Sequence, residues 1–318
     1  MRAFLAALFL LGGVLAPAAR AASPVAPPAP LVIYTATSAT TAQAPLWGAI
    51  ADGWAAGRTL DVRYWKDLDD LRGIILAGKG DLWVGHLDGF AQAARRGAPV
   101  VLAAVTAWSQ KFRFLTLEAG VKTAAALAAH MDKTGEALAV IPQGSPAHAF
   151  LQAEGMGGKT VRIQPMSPQQ AGLSLARGAV RHLMVPEPLA SALIAKFPAL
   201  HRAGSLADLT PGEPAGLPMA GVAVRSGLLA EDPGLVSGLT AKMRAWAERH
   251  HGDPAAILAA LPAGTRAAVG EKVLAESLRF DPLLVVTAAD ARAAIRRALA
   301  VTDGPHPVPD AFFAPAAP

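Results

Sequence analysis

Between residues 31 and 185, short apolar runs alternate with helix starts marked by a capping side chain, and that alternation leaves few folds open. LVIYTAT, 31–37, predicts a first strand. Pro45 then opens a helix on which Leu46, Ile50 and Trp54 fall at i, i+4 and i+8. TLDVRYW, 59–65, predicts a second strand, Asp67 caps the helix LDDLRGIILA, Gly78 ends it, and DLWVG is the third strand. The unit recurs downstream: ALAVIP, 137–142, is a strand, Ser145-Pro146 starts a helix, TVRIQP, 160–165, is a strand, and Ser167-Pro168 repeats the cap. AVRHLMV, 179–185, closes the series before Pro186-Glu187-Pro188. Two such blocks predict an α/β protein of two lobes, joined near FRFLTLE, 112–118, and again near PMAGVAV, 218–224. Residues 228–302 read as mainly helical.

The ends follow other rules. Arg2, the apolar run Ala3–Leu15 and the small-residue triplet Ala19-Arg20-Ala21 form a secretory signal with cleavage expected after Ala21. The run is too short for an ordinary membrane-spanning helix. Residues 22–30 read as a Pro/Ala-rich linker, and 303–318, GPHPVPDAFFAPAAP after Asp303, as a disordered Pro-rich tail. Lobe 1 is then expected over 31–113 and 223–302, and lobe 2 over 114–222.

The chain has no cysteine, which removes disulfides, thiolate metal sites, a cysteine nucleophile and the lipidated cysteine of a bacterial lipoprotein. A periplasmic protein without a lipid anchor is expected. Loss of Arg2 and Arg20 leaves 27 basic against 24 acidic residues, and neither Arg95-Arg96 nor Arg296-Arg297 sits in a basic run, so nucleic acid is an unexpected partner. No Gly-x-Ser-x-Gly elbow and no Gly-rich phosphate loop is present, since QGSPA has proline where the elbow needs glycine. His86 and Asp88 could be two metal ligands, but no further ligands can be identified by spacing, so neither metal nor cofactor is expected.

Several stretches together resemble a known family. APLWGAIADGW is similar to the first helix, ILAGKGDLWVG to the Gly-x-x-Asp turn and strand, RGAPVVLAAV to the following Gly-x-Pro strand, and VPEPLASALI to the Glu-Pro helix start of the nitrate/sulfonate/taurine family of periplasmic binding proteins. The resemblance spans residues 31 to 300. Where the family commonly has an aspartate after the Gly-x-Val of the second lobe, this chain has Arg181. The resemblance implies a two-lobed periplasmic binding protein fold (type II), each lobe a mixed sheet flanked by helices, with a ligand cleft between them. It also implies delivery of a small molecule to the permease and ATPase of an ABC importer; a monomer is expected. Two other classes stay open: an enzyme on the same scaffold, as in thiamine-pyrimidine synthases, which carry a cysteine motif that is missing here, and a ligand-sensing subunit of a membrane complex.

In open α/β sheets ligands sit at the carboxyl ends of strands. His86 and Asp88 follow the third strand, although Asp88 can equally cap the next helix. Thr37 and Ser38, with Thr40, follow the first strand. Trp47 falls off the Leu46-Ile50-Trp54 face and is free to meet a ligand, whereas Trp54 and Trp65 belong to the core. Trp108 ends the strand VVLAAVT near the hinge. In lobe 2, Ser145 and His148 flank a helix N-terminus that suits an anion, and Glu187 lies in the first turn of another helix. The expected ligand contacts are therefore Thr37, Ser38, Trp47, His86, Asp88, Trp108, Ser145, His148 and Glu187. An anionic group for the helix N-terminus, an amine for the carboxylates and an apolar body for the tryptophans describe a sulfonate, zwitterionic or heterocyclic organic molecule.

Overall fold

The computed structural model describes residues 29–36, 41–210, 216–266 and 270–315. The signal and most of the linker lie outside the described residues. No helix among the described residues is long and apolar enough to cross a membrane.

Local signals set the first half of each lobe. β1 (Leu31–Ala36), β2 (Leu60–Trp65) and β3 (Leu82–His86) alternate with α1 (Ala44–Ala51), α2 (Leu68–Leu76) and α3 (Leu87–Arg95). The Asp67 side chain accepts from the Asp70 N–H at 2.9 Å, which satisfies one of the four unpaired amides at the start of α2. β4 (Val100–Trp108) then crosses to β5 (Phe112–Thr116), α4 (Ala124–Thr134), β6 (Leu138–Val140), α5 (Pro146–Glu154), β7 (Ile163–Pro165), α6 (Pro168–Ala176), β8 (His182–Pro186), α7 (Leu189–Lys196) and β9 (His201–Ser205). Thr123, Ser145 and Ser167 cap α4, α5 and α6, the last in a full capping box with Gln170. Gly135 closes α4 with φ of 71°, a conformation that side chains with a Cβ rarely adopt.

The chain returns through β10 (Pro218–Arg225) and ends in α8 (Ser226–Glu231), α9 (Pro233–His250), α10 (Pro254–Ala260), α11 (Ala263–Arg266), α12 (Glu271–Leu278), β11 (Val286–Thr287) and α13 (Arg292–Thr302). Two mixed sheets result, ordered β11-β4-β10-β3-β1-β2 and β7-β6-β8-β5-β9. β1 pairs in parallel with β2 and β3, while β10 is antiparallel to both β3 and β4. In the second sheet β6 is parallel to β7 and β8, and β5 is antiparallel to β8 and β9. All of β10 belongs to the first sheet and all of β5 to the second, so the crossings lie at 109–111 and 206–217, slightly displaced from the boundaries read in the sequence. The two crossings bind each other: Ser109 N–H donates to the Leu217 carbonyl at 2.7 Å, and Leu217 N–H to Ser109 Oγ at 2.9 Å.

Two expectations need correction. Residues 304–315 are not a loose tail: Val308, Phe312, Phe313 and Ala314 are buried, and the Ala314 N–H donates to the Leu102 carbonyl on β4 at 2.9 Å. Two adjacent phenylalanines bury enough apolar surface to hold a Pro-rich segment against the sheet edge. α13 also does not belong to lobe 1 alone, because Ile295 and Leu299 enter the first lobe's core while Ala298 enters the second's. The main core of lobe 1 packs α1 and α9 on the sheet, and the fit is close: a Cβ on Gly48 would lie 2.0 Å from the Trp246 ring.

Candidate functional site

The strand order brings the carboxyl ends of β1, β3 and β4 to one edge of lobe 1, and the carboxyl ends of β6 and β8 to the facing edge of lobe 2. Two groups of polar side chains interact near the hinge: His86 with Asp88, Arg72 and Lys111, and Asp281 with Lys111, Arg113 and Glu187. His86 ends β3 and is the N-cap of α3 by backbone alone, without a capping side chain. Asp88 is therefore not the cap. It sits in the first turn of α3, 6% exposed, with Arg72 3.8 Å from Oδ2 and no partner at Oδ1. A buried carboxylate oxygen without a donor costs free energy unless something else binds it. His86 Nδ1 is likewise buried without a partner. Burial holds the His86 imidazole below its ordinary value, with Asp88 opposing that shift and Lys111 and Arg72 reinforcing it.

Sequence reasoning missed the groups at the hinge. Lys111 ends the crossing from β4, is 6% exposed, and has Asp281 at 3.9 Å as its ion-pair partner. Asp281, 3% exposed, accepts from the Thr41 hydroxyl at the start of α1. Burial pushes the Asp281 carboxyl up, against the pull of Lys111 and of the Thr41 hydrogen bond. Arg113, one residue into β5, donates from Nη1 to the Gln110 carbonyl at 2.9 Å, leaves Nε without a partner, and lies 5.0 Å from the Phe280 ring. Desolvation lowers its pKa, with Glu187 opposing and Arg202 adding. The signal available for these residues was two cations flanking Phe112 in an otherwise apolar run, but nothing local links them to Asp281, which is distant in the chain.

Lobe 2 contributes fewer groups than expected. Ser145 is fully buried and its hydroxyl accepts from the His148 N–H at 3.2 Å, so it is a helix cap. His148 Nδ1 accepts from the Gly144 N–H at 3.2 Å, which places the ring proton on Nε2, a buried donor without a partner. Burial lowers the His148 pKa and keeps the ring neutral. Glu187 is fully committed within its own lobe. Oε2 accepts from Ser191 N–H at 3.1 Å and Ser191 Oγ at 2.8 Å, and Oε1 accepts from Arg202 Nη2 at 3.0 Å. It holds Arg202, which lies 3.7 Å above Phe280 and 3.4 Å from Glu276 of lobe 1, and is not itself left with an oxygen for a ligand.

The tryptophans are corrected too. Trp47 is buried in the lobe 1 core with Trp54, because every residue from Ala44 to Ala49 is covered and α1 has no free face in its first two turns. Its Nε1 nonetheless has no hydrogen-bond partner. Trp108 is buried with its Nε1 3.4 Å from the Leu284 carbonyl, so it forms core beside the hinge. Trp54 is core as expected, whereas Trp65 is only partly buried. Thr37, Ser38 and Thr40 lie outside the described residues.

No family model matches the chain, and no curated protein matches it. Solved structures do. An ABC transporter protein from Parabacteroides distasonis superposes with a TM-score of 0.72 at 14% identity, covering 91% of this chain and 99% of the other. The periplasmic aliphatic sulphonate binding protein SsuA from Escherichia coli gives 0.62 at 16% identity, with 85% of each chain covered. The alkanesulfonate-binding protein SsuA from Xanthomonas axonopodis pv. citri, bound to MOPS, gives 0.61 at 17% identity, covering 91% of this chain and 98% of the other. The chain therefore has the two-lobed α/β fold of these binding proteins.

Proposed function

We propose that the chain is the solute-binding component of an ABC importer, closing its lobes on a small organic molecule and delivering it to a membrane permease without chemical change. The observation that carries this reading is the set of buried polar atoms with unspent hydrogen-bonding capacity at the facing strand ends: His86 Nδ1 and Asp88 Oδ1 from lobe 1, Arg113 Nε at the hinge and His148 Nε2 from lobe 2. Fixed donors and acceptors on two bodies that can separate favour whichever state lets one ligand satisfy both.

The chemistry of these atoms narrows the ligand. His148 Nε2, Arg113 Nε and the weakly paired Lys111 are donors suited to a sulfonate or carboxylate, and Asp88 Oδ1 is an acceptor suited to an amine. MOPS, bound by one of the similar proteins, combines a sulfonate with a ring amine. A zwitterionic or heterocyclic organic sulfonate fits this chain best. Export to the periplasm, with cleavage after Ala21 and no lipid anchor, and a monomeric state belong to the same proposal.

A thermal-shift screen of sulfonates, amino acids, pyrimidines and inorganic anions, followed by calorimetry, tests the reading. An organic sulfonate or zwitterion bound with one-to-one stoichiometry and recovered unchanged by mass spectrometry is expected. A bound compound that is converted would make the chain an enzyme instead, and the absence of any shift across the panel would refute the ligand class.

A further inference from the structure

At the other end of lobe 2, away from the seam, three metal-binding side chains converge. His182 opens β8, whose far end, Pro186, borders the seam. His130 lies in the last turns of α4, and Glu136 follows the Gly135 cap of the same helix. Glu136 Oε2 is 2.8 Å from His182 Nε2 and 3.0 Å from His130 Nε2, the two rings meet edge to face with centroids 5.3 Å apart, and one donor atom from each of the three residues lies within 4.8 Å of the others.

We propose that His130, Glu136 and His182 form a binding site for a divalent transition-metal ion, zinc by its donor set. Two imidazole nitrogens and one carboxylate oxygen, with a fourth position left to water, is a donor set that zinc accepts and that magnesium or calcium does not favour. Bonds of about 2.0–2.1 Å in a tetrahedron put donor atoms about 3.4 Å apart, so the ion requires the two hydrogen-bonded contacts to widen by roughly half an ångström. His130 and Glu136 are partly exposed and can make that adjustment, while His182 is fully buried and serves as the fixed ligand.

The outer contacts favour the metal-ready arrangement. His182 Nδ1 is 2.9 Å from Thr116 Oγ1, a hydroxyl that can donate to this nitrogen or accept from it. It therefore permits the tautomer that leaves the Nε2 lone pair to a metal, the usual outer-shell role of a histidine's second nitrogen. Arg181 approaches Glu136 through Oε1, at 3.7 Å, and is held by Glu118, which leaves Oε2 turned toward the two histidines. An ion there would tie α4 to β8. The sequence offered no spacing motif for this site, because its residues come from a helix, the loop after it and a distant strand.

The test uses untagged full-length protein stripped by dialysis against a chelator and titrated with ZnCl2 by calorimetry. Wild type is expected to bind one equivalent and to show a raised unfolding midpoint when loaded. His130→Gln and Glu136→Gln, both near the surface, are expected to weaken binding at least tenfold, and a His250→Gln/His251→Gln control to leave it unchanged. Co2+ at the site is expected to give the d–d absorption of a four-coordinate nitrogen and oxygen environment. No saturable equivalent in wild type, or an equivalent retained at the same Kd in both site variants, overturns the proposal. Neither result depends on the seam or its ligand.

Discussion

Glu187→Ala should damage the fold before it damages recognition. The carboxylate is 0% exposed, and its oxygens take two hydrogen bonds from Ser191 and two from the Arg202 guanidinium. Removing one partner of a buried ion pair costs about 3–5 kcal/mol, because the other charge stays buried without compensation. Arg202 keeps part of its company after truncation: Ser191 Oγ at 2.7 Å, Glu276 at 3.4 Å and the Phe280 ring. That argues for the lower end, about 3 kcal/mol, with the orphaned Ser191 N–H included. At a typical urea slope of about 2–3 kcal/mol/M the unfolding midpoint should fall by roughly 1 M. Far-UV circular dichroism is the right probe, since all six tryptophans, at 47, 54, 65, 83, 108 and 246, lie in lobe 1 and would report the wrong body. A loss below about 1 kcal/mol would refute the reasoning and return Glu187 to the list of residues free to meet a ligand.

Asp88→Asn should weaken binding of a zwitterionic sulfonate by about tenfold while shifting stability little, because Oδ1 has no partner within the protein; calorimetry with the ligand from the screen measures it. Burial lowers the His148 pKa from 6.5, so the folded protein protonates there at lower pH than the unfolded chain, which takes up a proton as pH falls through 6.5. The unfolded state then binds more protons, so stability is fully present above pH 6.5 and declines below it, and His148→Gln should flatten that decline in a pH series of melting curves. Phe312→Ala, at 1% exposure in the C-terminal segment, should cost about 3–5 kcal/mol by denaturation, whereas a loose tail would lose nothing.

What the sequence made legible was local. The caps at Asp67, Ser145 and Ser167 and the strands they follow depend on neighbours within four residues, and the structure places a hydrogen bond at each cap. Pairing order was less accessible, because β10 enters the first sheet antiparallel between β3 and β4 from far along the chain. Trp47 was misread for a related reason: periodicity identifies one buried face of α1, but α9 and the sheet together bury its first two turns on all sides. The C-terminal segment was misread from composition, which weighs nine prolines and alanines among residues 304–318 over the two phenylalanines that decide the packing. The positions of His86 and Asp88 were legible because a strand end and a helix start adjoin in the chain. Lys111 and Asp281 were not, because only the fold brings them together.

In the proposed binding protein, the partners of Glu187 and Lys111 set how the two lobes meet. The crossings at Ser109 and Leu217 hydrogen-bond to each other through backbone and hydroxyl groups. Away from the hinge, lobe 1 meets lobe 2 through Arg202 with Glu276 and Phe280, and through α13, whose Ala298 is buried in the core of lobe 2. The half-exposed Arg202–Glu276 pair contributes on the order of 1 kcal/mol or less. A ligand that pairs Asp88 on one side and His148 on the other adds hydrogen bonds of about 1–3 kcal/mol apiece in the closed state only, enough to decide the equilibrium. Glu187, by fixing Arg202 from within lobe 2, makes that half of the seam rigid before any ligand arrives, so the cost of ordering it falls on folding and not on binding.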